Sequence, residues 1–192
     1  HGYTSGGTVG GTPASGNRNI IDKFTFASDA NATDVGDSTI ARTHSSSQTS
    51  TTHGYISGGT GATMNHIEKF SFASDGNATD TADLTVGVSS PAGQSSSTHG
   101  YASGGDIQPT MSTNSGINVI EKYAFASSGN GSDVGDLTTV KTSVSGVMSI
   151  THGYVRGGRS GQPIKTFRTH RVKCYTKFCA TRFHFTCIGP FS

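Results

Sequence analysis

His53-Gly54-Tyr55-Ile56-Ser57-Gly58-Gly59 is one of four near-copies of a single phrase. It stands first as His1-Gly2-Tyr3-Thr4-Ser5-Gly6-Gly7, returns from His99 to Gly105, and appears last as His152-Gly153-Tyr154-Val155-Arg156-Gly157-Gly158. The spacings are 52, 46 and 53 residues. Self-similarity at a period of this size marks a solenoid, a propeller or an array. A second landmark, the Lys-aromatic pair Lys23-Phe24, Lys69-Phe70 and Lys122-Tyr123, precedes the next histidine by 30 residues every time. All length variation therefore falls in 8–18, 60–65 and 106–118, and these segments are expected to be exposed loops, since loops absorb insertions and packed strands do not.

Only 31% of the 192 residues are hydrophobic, Trp is absent and Gly, Ser and Thr abound. No sustained spacing of three and four supports a helix, and these small polar residues favour turns and extended chain. Ile20 to Ala27 reads as a strand, and Asn65 to Ala73 as a strand with apolar groups on both faces, as in a sheet stacked between two others. In the second repeat Tyr55-Ile56-Ser57 is an expected strand ended by the double glycine. Leu84–Val88 and Gln94–Thr98 are expected as the third and fourth, and His99-Gly100 as a hairpin turn with positive φ. Four strands in about 50 residues is the arithmetic of a propeller blade. The fold class is all-β.

The double glycine ending the second strand, Asn65-His66-Ile67-Glu68-Lys69-Phe70 as the third, and a Leu-containing fourth with a basic residue near its end at Arg42 and Lys141 together resemble the kelch repeat. The missing Trp and a longer Asp/Asn turn depart from it. The resemblance covers residues 1–158, as repeats 1–52, 53–98, 99–151 and the start of a fourth at 152. It implies a kelch-like β-propeller, here partial, with about three to four four-stranded blades. Such a part needs missing sequence or further copies of the chain to close. The wording is also similar to kelch-like repeat proteins of marine phage and environmental sequences, which implies an adhesive or structural component of a virion or an extracellular surface. Galactose oxidases share the kelch architecture and give an enzyme alternative. Their copper chemistry needs Tyr, His and Cys together, and no Cys lies within the repeats.

Charge divides near residue 155. All 12 acidic residues precede it with six basic ones, whereas 156–192 holds eight Lys or Arg, no acid, and Cys174, Cys179 and Cys187. The Cys spacings fit no common zinc module. In 159–192 repeat identity is lost, which is what reading a repeat in another frame would produce. A capping or partner-binding tail is the other reading. No apolar run approaches a membrane span, and a nucleic-acid partner is not expected.

Two sets of candidate residues emerge. The turn Asp29, Asn31, Thr33, Asp37, repeated as Asp75, Asn77, Thr79, Asp83, spaces side-chain oxygens in a way that resembles the calcium loops of integrin-type propeller repeats, and Ca²⁺ takes six to eight oxygens. The alternative is Asx-type capping of the turn's own backbone, which needs no ion. The variable loops offer Thr8, Thr12, Asn17, Thr60, Thr63, Asn65, Asp106, Gln108 and Asn114 to a glycan or protein surface. The recurring histidines are expected as turn residues and the tyrosines as packing. No catalytic residue is expected, and no cofactor besides the candidate Ca²⁺.

Overall fold

The computed structural model describes residues 1–9, 16–61, 64–107 and 116–158. These form four antiparallel sheets and, among the described residues, no helix. Sheet 1 holds β1 (Gly2–Ser5), β2 (Ile20–Phe24) and β3 (Thr33–Asp37). Sheet 2 is the meander β4 (Ser46–Thr49), β5 (His53–Ser57), β6 (His66–Ser71) and β7 (Thr79–Asp83). Sheet 3 repeats it as β8 (Ala92–Ser95), β9 (His99–Ser103), β10 (Ile117–Ala124) and β11 (Ser132–Lys141). Sheet 4 has β12 (Ser145–Met148) and β13 (Gly153–Arg156).

The sheets do not begin where the sequence repeat begins. Each His-Gly-Tyr strand pairs with the short strand before it, Gln48 opposite Tyr55 and Gln94 opposite Tyr101. The expected turn at His99-Gly100 is therefore strand. The turn lies at Ser96-Ser97-Thr98, where the Ser96 hydroxyl accepts from the His99 N–H at 3.0 Å and Thr98 Oγ1 meets the His99 ring nitrogen at 2.8 Å. The same two contacts recur at Ser50, Thr52 and His53 and at Ser149, Thr151 and His152. Positive φ falls instead on His44, Ser90 and Ser143, one per repeat in the connection leading to the next sheet.

The expected strand Leu84–Val88 is also corrected. Pairing of His66 with Asp83 and Lys69 with Thr79 makes the polar stretch Thr79–Asp83 the fourth strand of sheet 2. Leu84 and Val88 follow it as buried plugs, 3% and 4% exposed. Their apolar character comes from burial at the sheet end, not from a pleat. The strand expected at Gln94–Thr98 is shifted to Ala92–Ser95.

The glycine of His-Gly-Tyr has a steric cause. Gly2, Gly54 and Gly100 lie opposite Phe24, Phe70 and Tyr123, and a Cβ at any of the three would overlap the facing ring. An aromatic laid over a cross-strand glycine fixes register and covers bare backbone. The double glycine has another cause: its first members, Gly6, Gly58 and Gly104, take φ of 67°, 67° and 65°, which side chains avoid.

Both faces of sheet 2 are buried. Ile56, Phe70 and Ala78 join Ile21 of sheet 1, while Tyr55, Ile67, Leu84 and Val88 join Ala102 and Tyr123 of sheet 3. Each fully buried Ile contributes about 1.5–3 kcal/mol. The tyrosines stack between sheets as expected, Tyr3 on Phe72 at 4.8 Å and Tyr55 on Phe125 at 4.6 Å between ring centroids. First strands meet first strands: Cβ atoms at Gly93 and Gly146 would strike the backbone carbonyls of Ser47 and Gly93.

Gly54→Ala is expected to destabilise the chain by about 1–3 kcal/mol through overpacking against Phe70. Pairing it with Phe70→Ala should restore part of that loss. Urea denaturation of the two singles and the double checks the coupling.

Candidate functional site

The antiparallel meander sorts the connections onto two rims. The variable segments leave the double glycines on one rim, beside the connections 38–45 and 84–91 that lead to the next sheet. The Ser-x-Thr-His turns and the Asp/Asn turns occupy the other. The two sets of candidate residues thus lie mainly on opposite rims.

On the first rim, Thr8 and Asn17 face each other in an isolated bridge. Thr60 donates its N–H to Thr43 O at 2.7 Å, and the two threonine hydroxyls lie 2.5 Å apart. Asn65 accepts the Leu84 N–H on its carbonyl at 2.7 Å. Asp106 is 4% exposed, and its backbone is doubly bonded to Ser89. Thr12, Thr63, Gln108 and Asn114 lie outside the described residues, as does the whole of 159–192.

On the second rim, the nine-residue turn is only half turn. Thr33–Asp37 and Thr79–Asp83 are strands, so the Thr and the last Asp of each set are separated along extended chain rather than gathered in a tight loop. The structure does not bring Asp29, Asn31, Thr33 and Asp37, or Asp75, Asn77, Thr79 and Asp83, around one point. Several of these oxygens are engaged in holding neighbouring sheets. Asn77 Oδ1 accepts the Asp37 N–H at 3.0 Å, Asn130 Oδ1 accepts the Asp83 N–H at 3.1 Å, and Asp75 pairs with Lys23 at 3.0 Å. That bond with Asp75 raises the Lys23 ammonium above its usual 10.5. Asp34 caps the Gly36 N–H and Asp133 the Gly135 N–H, as Asx turns do. Among the described residues no three His, Cys, Asp or Glu are grouped to hold a metal.

The strongest polar arrangement is one that the search for ligand motifs overlooks. Glu68, fully buried on β6, accepts from Thr39 N at 2.9 Å and Thr39 Oγ1 at 2.6 Å, and pairs with Arg42, itself 2% exposed. Arg42 also donates to Gly58 O at 3.0 Å. One repeat on, Glu121 accepts from Thr85 N, Thr85 Oγ1 and Val86 N, with Val88 at the Arg42 position. Each carboxylate ties its sheet to the connection leaving the sheet before. Gln48 makes the companion tie, donating to Tyr101 O at 2.9 Å and accepting from Tyr123 Oη at 2.8 Å. Gln94 donates to Tyr154 O at 3.4 Å. Burial raises the Tyr123 phenol well above the usual 10.0, so it remains a donor. The available signal was positional: Gln48 and Gln94 stand five residues before their histidines, as Thr39 and Thr85 stand fourteen before.

Three of the recurring histidines, His53, His99 and His152, each place a ring nitrogen 2.8 Å from the hydroxyl of the preceding threonine. Desolvation, then the Lys69 charge, lowers the His53 imidazole below its usual 6.5. Two grooves of ≈ 370 Å³ and ≈ 360 Å³ are present, the first beside β1 and lined also by Ser47, Gln48, Phe70, Phe72 and Met148, the second beside β13 and lined also by Gln94, Tyr101 and Leu137. No helix among the described residues is long and apolar enough to cross a membrane. No family model matches the chain, and no curated protein matches its sequence.

Glu68→Gln is expected to cost about 3–5 kcal/mol by leaving the Arg42 charge buried without its partner, and Arg42→Met/Glu68→Met to recover most of it. Glu121→Gln should cost less, because no buried cation faces it. Chemical denaturation of the three variants measures the order. Asn77→Ala is expected to lose about 1 kcal/mol, equally in EGTA and in millimolar Ca²⁺. A loss seen only with Ca²⁺ would support an ion at this turn.

Proposed function

We propose that the four sheets are successive blades of a kelch-like β-propeller acting as a non-enzymatic binding or structural module, contacting glycan or protein through the variable loops. The observation that carries this reading is the repetition of one set of sheet-to-sheet ties: carboxylate to preceding connection, Gln to following Tyr carbonyl, Tyr onto following Phe. A frame held this constant leaves the segments 8–18, 60–65 and 106–118 as the places where copies differ. All three leave the same rim, as binding loops on a rigid scaffold do. Their Gly, Thr, Ser and Asn content offers hydroxyl and amide groups to a polar ligand. Contact of first strand with first strand supports a common axis, since blades approach closest there. The resemblance to repeat proteins of phage and environmental sequences makes a virion or extracellular surface the setting.

A glycan-array and surface-protein screen of the full chain tests the binding role. Replacing 106–118 by the shorter 60–65 is expected to abolish or redirect binding while leaving the melting temperature within a few degrees. Absence of any ligand, or binding unmoved by the exchange, removes the loops from the role.

A further inference from the structure

Part of the Asp/Asn turn has no role in the ties between sheets. In each repeat the turn carries an asparagine followed two positions later by a hydroxyl residue: Asn31-Ala32-Thr33, Asn77-Ala78-Thr79 and Asn130-Gly131-Ser132. The sequence's other asparagines, Asn17, Asn19, Asn65, Asn114 and Asn118, have no Ser or Thr at that distance. Asn-x-Ser/Thr with x other than proline is the acceptor sequence for an N-linked glycan. It stands here at one place per repeat, on the rim opposite the variable segments.

The middle copy belongs to sheet 2, flanked by sheets 1 and 3, and its geometry separates the two ends of the Asn77 carboxamide. Oδ1 accepts the Asp37 N–H at 3.0 Å, while the Ala78 N–H donates to Asp37 O at 2.8 Å. An N–H needs an acceptor, so this contact fixes which end of the carboxamide is oxygen. Nδ2 takes no part in the clasp, and among the described residues no hydrogen bond reaches it. Asn77 and Thr79 are exposed on either side of the buried Ala78, which packs with Ile21, Ile56 and Phe70. The third copy repeats the clasp, Asn130 Oδ1 accepting from Asp83 N at 3.1 Å and Gly131 N donating to Asp83 O at 2.7 Å. Its central residue changes for a steric reason, since a Cβ at Gly131 would come within 2.7 Å of Glu121 Oε2. The hydroxyl of Ser132 is kept and exposed. Its own bond is long, 3.3 Å to Lys122 O, as is that of Thr33 to Lys23 O at 3.5 Å. The fold thus uses the asparagine's oxygen and leaves its nitrogen and the nearby hydroxyl at the surface.

We propose that Asn31, Asn77 and Asn130 are N-glycosylation sites, one on each of three successive sheets. The donor is an oligosaccharide carried on a lipid diphosphate. A bond forms between Asn Nδ2 and the anomeric carbon of the first sugar, and that carbon's bond to the diphosphate oxygen breaks. The lipid diphosphate leaves with the electron pair and the proton given up by the nitrogen, and nothing is oxidised or reduced. Oδ1 remains an acceptor after transfer, so the clasps on Asp37 and Asp83 survive a glycan on Nδ2. Transfer takes place before the sheets close, because each Thr or Ser becomes the first residue of a paired strand, β3, β7 or β11. The glycans then cover the rim of Asp/Asn turns and leave the variable loops open. The inference shares only the extracellular setting of the proposed function and stands whether or not the loops bind a ligand.

The full chain, directed through the secretory pathway of a eukaryotic host, should carry glycans that peptide N-glycosidase removes. Digestion in heavy-oxygen water should label Asn31, Asn77 and Asn130 as they become aspartate, read by peptide mass spectrometry. Thr33→Val, Thr79→Val and Ser132→Ala should each lose one glycan, and Thr79→Ser none. Valine keeps the shape and strand preference of threonine, so a hydroxyl of purely structural use would leave the glycan count unchanged. Occupancy is read on total cell protein, so a variant that misfolds still reports. The glycosylated parent and the bare triple variant should melt within a few degrees of each other. Bare asparagines in the parent overturn the proposal, as does conversion to aspartate without heavy oxygen. A glycan count unmoved by the valine substitutions, or a glycosylated chain that lacks the β-sheet circular dichroism of the bare one, overturns it too.

Discussion

Glu68 is fully buried, and it holds a charge there only because the connection leaving the preceding sheet delivers an Arg42 guanidinium, a Thr39 hydroxyl and a Thr39 N–H to it. A lone carboxylate in that place would cost several kcal/mol. The requirement therefore couples the path of one connection to the seating of the next sheet. With Glu121 the same tie is made by hydroxyl and amide groups alone, Val88 filling the space of the arginine. The pattern of contacts is kept while its charge is not, which places the constraint in hydrogen-bond geometry more than in the ion pair.

Around that tie the other recurrent features take their places. Glycine at 54 and 100 lets an aromatic lie over the neighbouring strand, and beside Gly54 the adjacent Tyr55 stacks across to Phe125 of the next sheet. Gln48 and Gln94 occupy the first strand, where small residues bring sheets too close for larger side chains. Interiors at crystal-like density leave little tolerance at such positions. The variable loops escape these constraints because they leave the rim after the double glycine has ended the strand.

The sequence made the repeat, the β class and two of the four strands of each full sheet legible. His53–Ser57 and His66–Ser71 announce themselves through glycine punctuation and apolar residues on both faces. The other two were misplaced for one reason: Thr79–Asp83 and Ala92–Ser95 are polar or small, and periodicity of apolar groups cannot locate a strand that has few. Leu84 and Val88 drew the strand to themselves although they are plugs between sheets. The Asp/Asn turn was read as a compact loop, and only the register with β6 reveals that half of it is extended.

What the sequence determined by itself is local and periodic: where the chain turns, which glycines must lack a side chain, and which segments are free to vary. Tertiary structure decided the partners. Gln48 and Tyr101 are 53 residues apart, Asn77 and Asp37 are 40, and their meeting depends on how one sheet is laid on the next. The physical reason is that hydrogen bonds between sheets join residues one repeat apart, so no pattern within a single repeat can display them.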